Sequence, residues 1–207
     1  DALGILTLAI ENYEADDILA TLAKQVEAAG GDCVLVTKDK DCRQLLSNHV
    51  RIYDIRENQF FDTAALQLKW GIRPDQVVDF QAIVGDKTDN IPGIYGIGEK
   101  GAAELLAKYG TLDSVLDHAH EVSGPKRRER LLNGREIAHK SRDLARLKTD
   151  MPIVVDWNAA RFGPVNAAAI AELCRECGFR QLAKRTELLA EKVAGDPVVA
   201  SAELAAP

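Results

Sequence analysis

Seven carboxylates fall in three short motifs: Glu14, Asp16 and Asp17; Asp39 and Asp41; Asp86 and Asp89. Any one motif alone reads as a helix N-terminus, because carboxylates are favoured at the positive end of a helix. Three motifs converging on one edge call for more, since seven close carboxylates repel unless cations hold them. A carboxylate-rich, cysteine-free set suits a hard cation, Mg²⁺ or Mn²⁺. Two such ions about 4 Å apart clamp the oxygens of an in-line phosphodiester displacement.

Directly after the third motif comes Gly93-x-x-Gly96-x-Gly98-x-Lys100. A dinucleotide-binding reading fails, because no strand precedes these glycines in a βαβ unit. A glycine-rich hairpin between two helices, ending at a helix N-terminus beside a lysine, suits a phosphate grip without sequence preference. The net charge of −6 argues against a polyanionic partner, but the distribution is uneven. Residues 126–148 hold nine Lys and Arg against three Asp and Glu. By itself such a run reads more readily as a solvated helix face. Acid where cations would bind and base where phosphates would lie is the pattern of a metal-dependent nuclease.

The elements that must position these motifs follow from the apolar spacing. Residues 6–10 and 33–37 read as strands, with further strands at 50–55 and 59–61. Residues 14–29 form a helix whose buried face is Ala15, Ile18, Leu19, Leu22, Ala23 and Val26, stopped by Gly30 and Gly31. Residues 41–46 read as a short helix, and further helices are expected at 63–70, 75–84, 100–109, 111–118, 126–132, 135–147 and 165–177. Alternating strand and helix in the first half implies an α/β fold with a parallel sheet, and ligands then bind beyond the C-terminal strand ends. Residues 190–207 lack periodicity and read as a linker. Cys33, Cys42, Cys174 and Cys177 are expected as reduced thiols, and Cys174 and Cys177 as part of a helix face rather than a zinc pair.

The order Glu14-x-Asp16-Asp17, Asp39-Lys40-Asp41 and Gly85-Asp86-x-x-Asp89-Asn90-x-Pro92-Gly93-x-x-Gly96-Ile97-Gly98-x-Lys100-x-Ala102 resembles the 5′ nuclease domain of bacterial DNA polymerase I. That family includes flap endonucleases and phage enzymes. The intervals, 22 residues from Asp17 to Asp39 and 45 from Asp41 to Asp86, are similar to its polymerase-linked branch. The resemblance implies a PIN-like core at 1–84, a helix–hairpin–helix region at 85–189, and a linker to polymerase modules at 190–207. Glu14 and Asp16 match ligands of a first metal, and Asp39, Asp41 and Asp89 those of a second. Asp17 and Asp86 match accessory catalytic acids acting through water. Gly93, Gly96, Gly98 and Lys100 match the hairpin that holds duplex DNA, with K⁺ on its carbonyls. Lys126, Arg127, Arg128 and Arg130 lie where the family places further DNA contacts.

The substrate so implied is a 5′ flap, a nick or a duplex end, in the cytoplasm at the bacterial nucleoid, with no membrane partner. The family pattern also carries two earlier aspartates and a basic helical arch, for which no residues precede Asp1. The expectation is therefore an N-terminally truncated domain with a half-built first metal site. Asn12 stands where glycine is usual, and Arg43 is unusual beside Asp39 and Asp41. Two rivals remain: a haloacid-dehalogenase-type phosphatase, which leaves 93–100 without a role, and a non-catalytic DNA-binding module working through the hairpin alone.

Overall fold

The computed structural model describes residues 2–161 and 165–194, which fall into two compact units, Ile10–Ile153 and the remainder. In the larger unit, α1 (Ala15–Ala28) leads into β1 (Cys33–Val36) and a 3-10 turn, Asp41–Leu45. Strands β2 (Val50–Asp54) and β3 (Gln59–Phe61) follow, then helices α2 (Thr63–Trp70), α3 (Val77–Val84), α4 (Glu99–Tyr109), α5 (Leu112–Asp117), α6 (Pro125–Asn133) and α7 (Arg135–Ala145).

The sheet order is β1-β2-β3; β1 pairs parallel to β2, with Leu35 opposite Ile52, and β2 pairs antiparallel to β3. The fold is thus a mixed sheet with a large helical region: the parallel pairing expected occurs between β1 and β2, and β3 departs from it. The turn between β2 and β3 explains the third strand, because so short a connection can join only antiparallel neighbours. The expected strand at 6–10 is not formed: those residues are irregular, and Ile5 and Leu6 are exposed. An apolar run becomes a strand only where a neighbouring strand takes up its N–H and C=O groups. No such partner exists among the described residues.

One core runs through the larger unit, from Ala20 and Ala23 on α1 through Leu35, Ile52 and Phe80 to Leu106, Val115 and Leu131. Trp70 stacks on Phe80 with ring centroids 4.7 Å apart. Two side chains inside it tie helices together by pairing with backbone groups, as burial favours. The Gln76 amide donates to the carbonyls of Leu106 and Gly110 at 3.1 and 2.8 Å, tying the start of α3 to the end of α4. Asp79 accepts from the N–H of Leu112 at 2.8 Å and so holds the start of α5.

In the smaller unit, α8 (Ala167–Glu176) and α9 (Arg180–Ala194) form a helical hairpin. Asn166 caps α8 by accepting from Ala169 N–H at 3.0 Å. Cys174 is buried in this hairpin and Cys177 is exposed, both as free thiols, so the pair does not converge on a metal. Helix α9 continues through Ala194, past the expected start of the linker at 190, because Ala, Leu, Glu and Lys are strong helix formers. The rest of that linker, 195–207, lies outside the described residues.

Candidate metal centre and hairpin

The third acidic motif sits in a loop that closes on itself. Asp86 N–H donates to Ile91 carbonyl and Ile91 N–H to Asp86 carbonyl, both at 2.7 Å. Gly93 lies under this closure with φ +62°, and a Cβ there would stand 2.3 Å from the backbone nitrogen of Gly85. Only glycine allows that approach. Ser141 on α7 accepts from Gly93 N–H at 3.1 Å, and Ile94 N–H donates to Ile83 carbonyl at 2.8 Å, which seats the loop on α3 and α7.

This loop carries Asp86 and Asp89 to Asp41, which opens the 3-10 turn after β1. Carboxylate oxygens of Asp41, Asp86 and Asp89 all lie within 4.8 Å of one another. Asp39 adjoins them, accepting from Asp41 N–H at 3.0 Å. Two of these carboxylates are held by neighbouring side chains. The Gln81 amide on α3 donates to Asp41, and Lys40 pairs with the buried Asp86. Asp86 also accepts from Thr88 N–H at 2.8 Å.

The electrostatics report crowding. Asp89 is pushed up to about 6, first by sharing a hydrogen bond with Asp86 and then by burial and the charges of Asp86, Asp41 and Asp39. Asp41 is raised by burial, with Asp39 and Asp86 adding to it against the Gln81 bond. Asp86 goes the other way: burial works against its charge, but Lys40, Thr88 N–H and Asp89 hold it below the usual range. Like charges this close relax by keeping a proton or by taking a cation. Three mutually close carboxylates suit an oxygen-seeking divalent ion, so the residues fit the group that the motifs imply.

The first motif stands at the start of α1. Asp16 is raised by burial and then by Asp39, Glu14 and Asp17, which places it in the same acidic neighbourhood. The Cys42 thiol, buried, lies 3.8 Å from Asp16 as a weak donor. Glu14 is exposed at the N-cap of α1 without a cap hydrogen bond. Asp17 faces elsewhere in part: it accepts from Lys148 N–H at 2.8 Å, tethering the chain after α7. Asn12 adopts φ +67°, the left-handed conformation that asparagine tolerates. Lys40, Gln81 and Cys42 were not singled out from sequence. Lys40 lies inside a motif and could have been; Gln81 carries no local signal.

The hairpin runs from Ile94 to Gly98, which is the N-cap of α4. Gly98 and Lys100 are exposed, and nothing lies within 4 Å of where a Cβ on Gly98 would be. The opening N–H groups of a helix have no intrahelical partner and suit an anion. The basic residues of α6 divide in two. Arg127 donates to Gly101 carbonyl at 2.6 Å and Arg130 to Gly96 carbonyl at 3.1 Å, while Arg128 donates to Val122 carbonyl at 3.3 Å. Lys100 and Lys126 are exposed and make no ion pair among the described residues.

Two family models match in succession: the N-terminal resolvase-like domain of 5′-3′ exonucleases over residues 1–71, and their C-terminal SAM fold over 72–168. The chain is 41% identical over 184 residues to DNA polymerase I of Rhizobium leguminosarum, covering 89% of this chain and 18% of that protein. It is 42% identical over 161 residues to thermostable DNA polymerase I of Thermus thermophilus, covering 78% and 19%. The chain therefore spans about a fifth of the length of these relatives. Among solved structures it is similar to the T5 5′-exonuclease with bound zinc, with TM-score 0.64, 25% identity, and coverage of 69% of this chain and 53% of that one. No helix among the described residues is long and apolar enough to cross a membrane.

Proposed function

This chain belongs to the 5′-3′ exonuclease family, and we propose that it works as the 5′ nuclease domain of a DNA polymerase I, cutting the 5′ arm of flapped or nicked duplex DNA. The observation that carries this reading is the meeting of Asp41, Asp86 and Asp89 within 4.8 Å from motifs 45 residues apart. Divalent ions, Mg²⁺ or Mn²⁺ by the chemistry of the oxygen donors, supply Lewis-acid charge at the scissile phosphate when bound.

The chain's own residues do the rest. Asp41 and Asp89, with Asp39, hold one ion; Glu14 and Asp16 contribute to a second. Asp86, fixed by Lys40, and Asp17 act as accessory acids. Gln81 keeps Asp41 aimed, so the ligand set is built before substrate arrives. Gly96, Gly98 and Lys100 grip duplex phosphates through backbone N–H groups and one cation, independent of base sequence. Polymerase modules in the same polypeptide and a cytoplasmic site of action accompany this reading. The phosphatase alternative has no support from either family model.

The test has two readouts. Asp41→Asn in the natural polypeptide is expected to abolish Mn²⁺-dependent cleavage of a 5′-flapped duplex while leaving duplex binding intact. The 207-residue chain is expected to bind Mn²⁺, and Asp41→Asn to weaken that binding at least tenfold. Unchanged cleavage and metal binding in the variant would sink the assignment. Duplex binding with no cleavage in the natural polypeptide would leave the non-catalytic module as the function.

A further inference from the structure

Arg43, one residue past Cys42 in the 3-10 turn, is held in an uncommon way. Its guanidinium carbon lies 4.3 Å from the ring centre of Trp70 and 4.8 Å from that of Phe61. Two aromatic faces fix the plane of the group without using its donors, and such contacts favour arginine over lysine. Among the described residues the Arg43 side chain makes no hydrogen bond and no ion pair, although it is half-buried. None of its nitrogens is a buried atom without a partner, so they reach solvent.

Arg43 is one of the residues that line a cavity of about 150 Å³, with Thr37, Lys38, Asp39, Phe61 and Lys69 among the others. Asp39 is shared: it forms one wall here and adjoins the cluster of Asp41, Asp86 and Asp89 on its other side. Lys69 also approaches the Phe61 ring, at 6.0 Å. Of the other carboxylates on the wall, Asp54 is engaged by the N–H groups of Arg56 and Glu57 at 2.8 and 3.2 Å, and Glu57 is exposed.

We propose that this cavity is a subsite for one phosphate of the single-stranded substrate arm, bound by the Arg43 guanidinium with Lys38 and Lys69 beside it. The inference rests on the nuclease reading above and deepens it by naming how a polyanionic strand is held next to an acidic centre. A phosphodiester approaching Asp39 meets repulsion from the carboxylates. A cation fixed on that rim offsets the repulsion and sets the strand's position. A guanidinium can neither bind a metal nor accept a hydrogen bond, so its open donors select an oxyanion. Clamped between rings, Arg43 loses little side-chain entropy on binding, which favours a positioned contact over a general attraction.

The probe is 5′-phosphorylated tetrathymidylate, titrated into the 207-residue chain in EDTA at low salt, against a neutral methylphosphonate tetramer. Binding is followed by the Arg43 Nε–H resonance, assigned by its loss in Arg43→Lys. That resonance is expected to shift with the phosphodiester and not with the neutral analogue. Arg43→Met, which keeps an apolar chain on the rings, is expected to weaken phosphodiester binding about tenfold, with Arg43→Lys recovering part. Blunt duplex binding is expected to be equal for wild type and Arg43→Met. An unmoved resonance with equal tetramer affinity overturns the subsite, as does a loss of duplex affinity as large as the loss for the tetramer. Failure of the wild-type chain to bind duplex at all would count against the hairpin instead.

Discussion

The guanidinium of Arg130 donates to the carbonyl of Gly96 at 3.1 Å and lies over the ring of Tyr95 at 5.1 Å. The contact joins α6 to the hairpin, and on that ground Arg130 is expected to shape the loop rather than to neutralise a phosphate. Lys100 and Lys126, by contrast, carry exposed charge. Phosphate-neutralising residues reveal themselves in the salt dependence of binding. Lys100→Ala and Lys126→Ala are each expected to reduce the slope of log affinity against log salt by about 1. Arg130→Ala is expected to weaken binding with the slope nearly unchanged. Fluorescence anisotropy on a nicked duplex at several salt concentrations checks this, and a slope change of about 1 for Arg130→Ala would make it a phosphate contact after all.

Lys40 pairs with Asp86, whose side chain is 2% exposed while that of Lys40 is 37% exposed. Removing the lysine leaves a buried carboxylate short of its partner. Lys40→Met is expected to destabilise the metal-free chain by about 1–3 kcal/mol in urea denaturation near pH 7, the usual cost of an unsatisfied buried charged group. Asp86→Asn in the Lys40→Met background should restore part of that loss. Saturating Mn²⁺ should also offset it, since a ligand bound only by the folded state stabilises it. A Lys40→Met variant as stable as wild type in EDTA would mean that Asp86 finds other solvation.

Much of the architecture was legible because it is local. The 3.6-residue spacing of Ile18, Leu22 and Ala23 and the stop at Gly30 are properties of one helix, and α1 ends at Ala28 as that pattern requires. Gly85 and Gly93 marked a change of backbone character without telling that each packs against the other. What was not legible is long-range. Residues 6–10 have the composition of a strand, but a strand needs a neighbour, and composition does not name one. Arg127 and Arg130 count as positive charge in sequence, yet each gives a donor to a backbone carbonyl, 26 and 34 residues away. Arg43 stood as an oddity beside two aspartates until Phe61 and Trp70 closed over it. The three acidic motifs themselves were plain; Gln81, which holds Asp41, emerges only from the packing.

The raised carboxyl of Asp89 gives the metal centre a pH signature. In the folded chain Asp89 keeps its proton up to about 6, first because it shares it with Asp86. Raising pH through that value adds a full negative charge to the ligand set. Apparent Mg²⁺ or Mn²⁺ affinity should therefore climb between about pH 4 and pH 7 and flatten above, with proton release on binding in the lower half of the range. The linked effect on folding has the opposite direction. The folded state holds this proton more tightly than the unfolded chain, so metal-free stability contributed by Asp89 is present below pH 4 and lost as pH rises through about 6. Calorimetric titration in buffers of differing ionisation enthalpy checks the proton release. An affinity independent of pH over this window would mean that Asp89 does not bind the ion.

Gly93 and Gly98 stand five residues apart in one motif and should respond oppositely to the same substitution. At Gly93 the backbone has φ +62° and a Cβ would press on the backbone of Gly85 and Val84 at 2.3–2.6 Å, where no flexible side chain can yield. Gly93→Ala should then open the loop closed by Asp86 and Ile91 and destabilise the chain by about 3 kcal/mol or more, well beyond an ordinary substitution. Asp86 and Asp89 move with that loop, so Mn²⁺ affinity should fall with stability even under conditions where the variant stays folded. At Gly98 the backbone is in an extended conformation with φ −93°, and no atom lies within 4 Å of the added carbon. Gly98→Ala should leave stability within about 0.5 kcal/mol of wild type and Mn²⁺ affinity unchanged. Its methyl group would instead stand between the first N–H groups of α4 and an approaching phosphate, so duplex affinity should drop severalfold. Urea denaturation, Mn²⁺ titration and duplex binding on the two variants separate these outcomes. Equal duplex binding by Gly98→Ala and wild type would show that phosphates do not reach the helix end, and the grip would then rest on Lys100 alone.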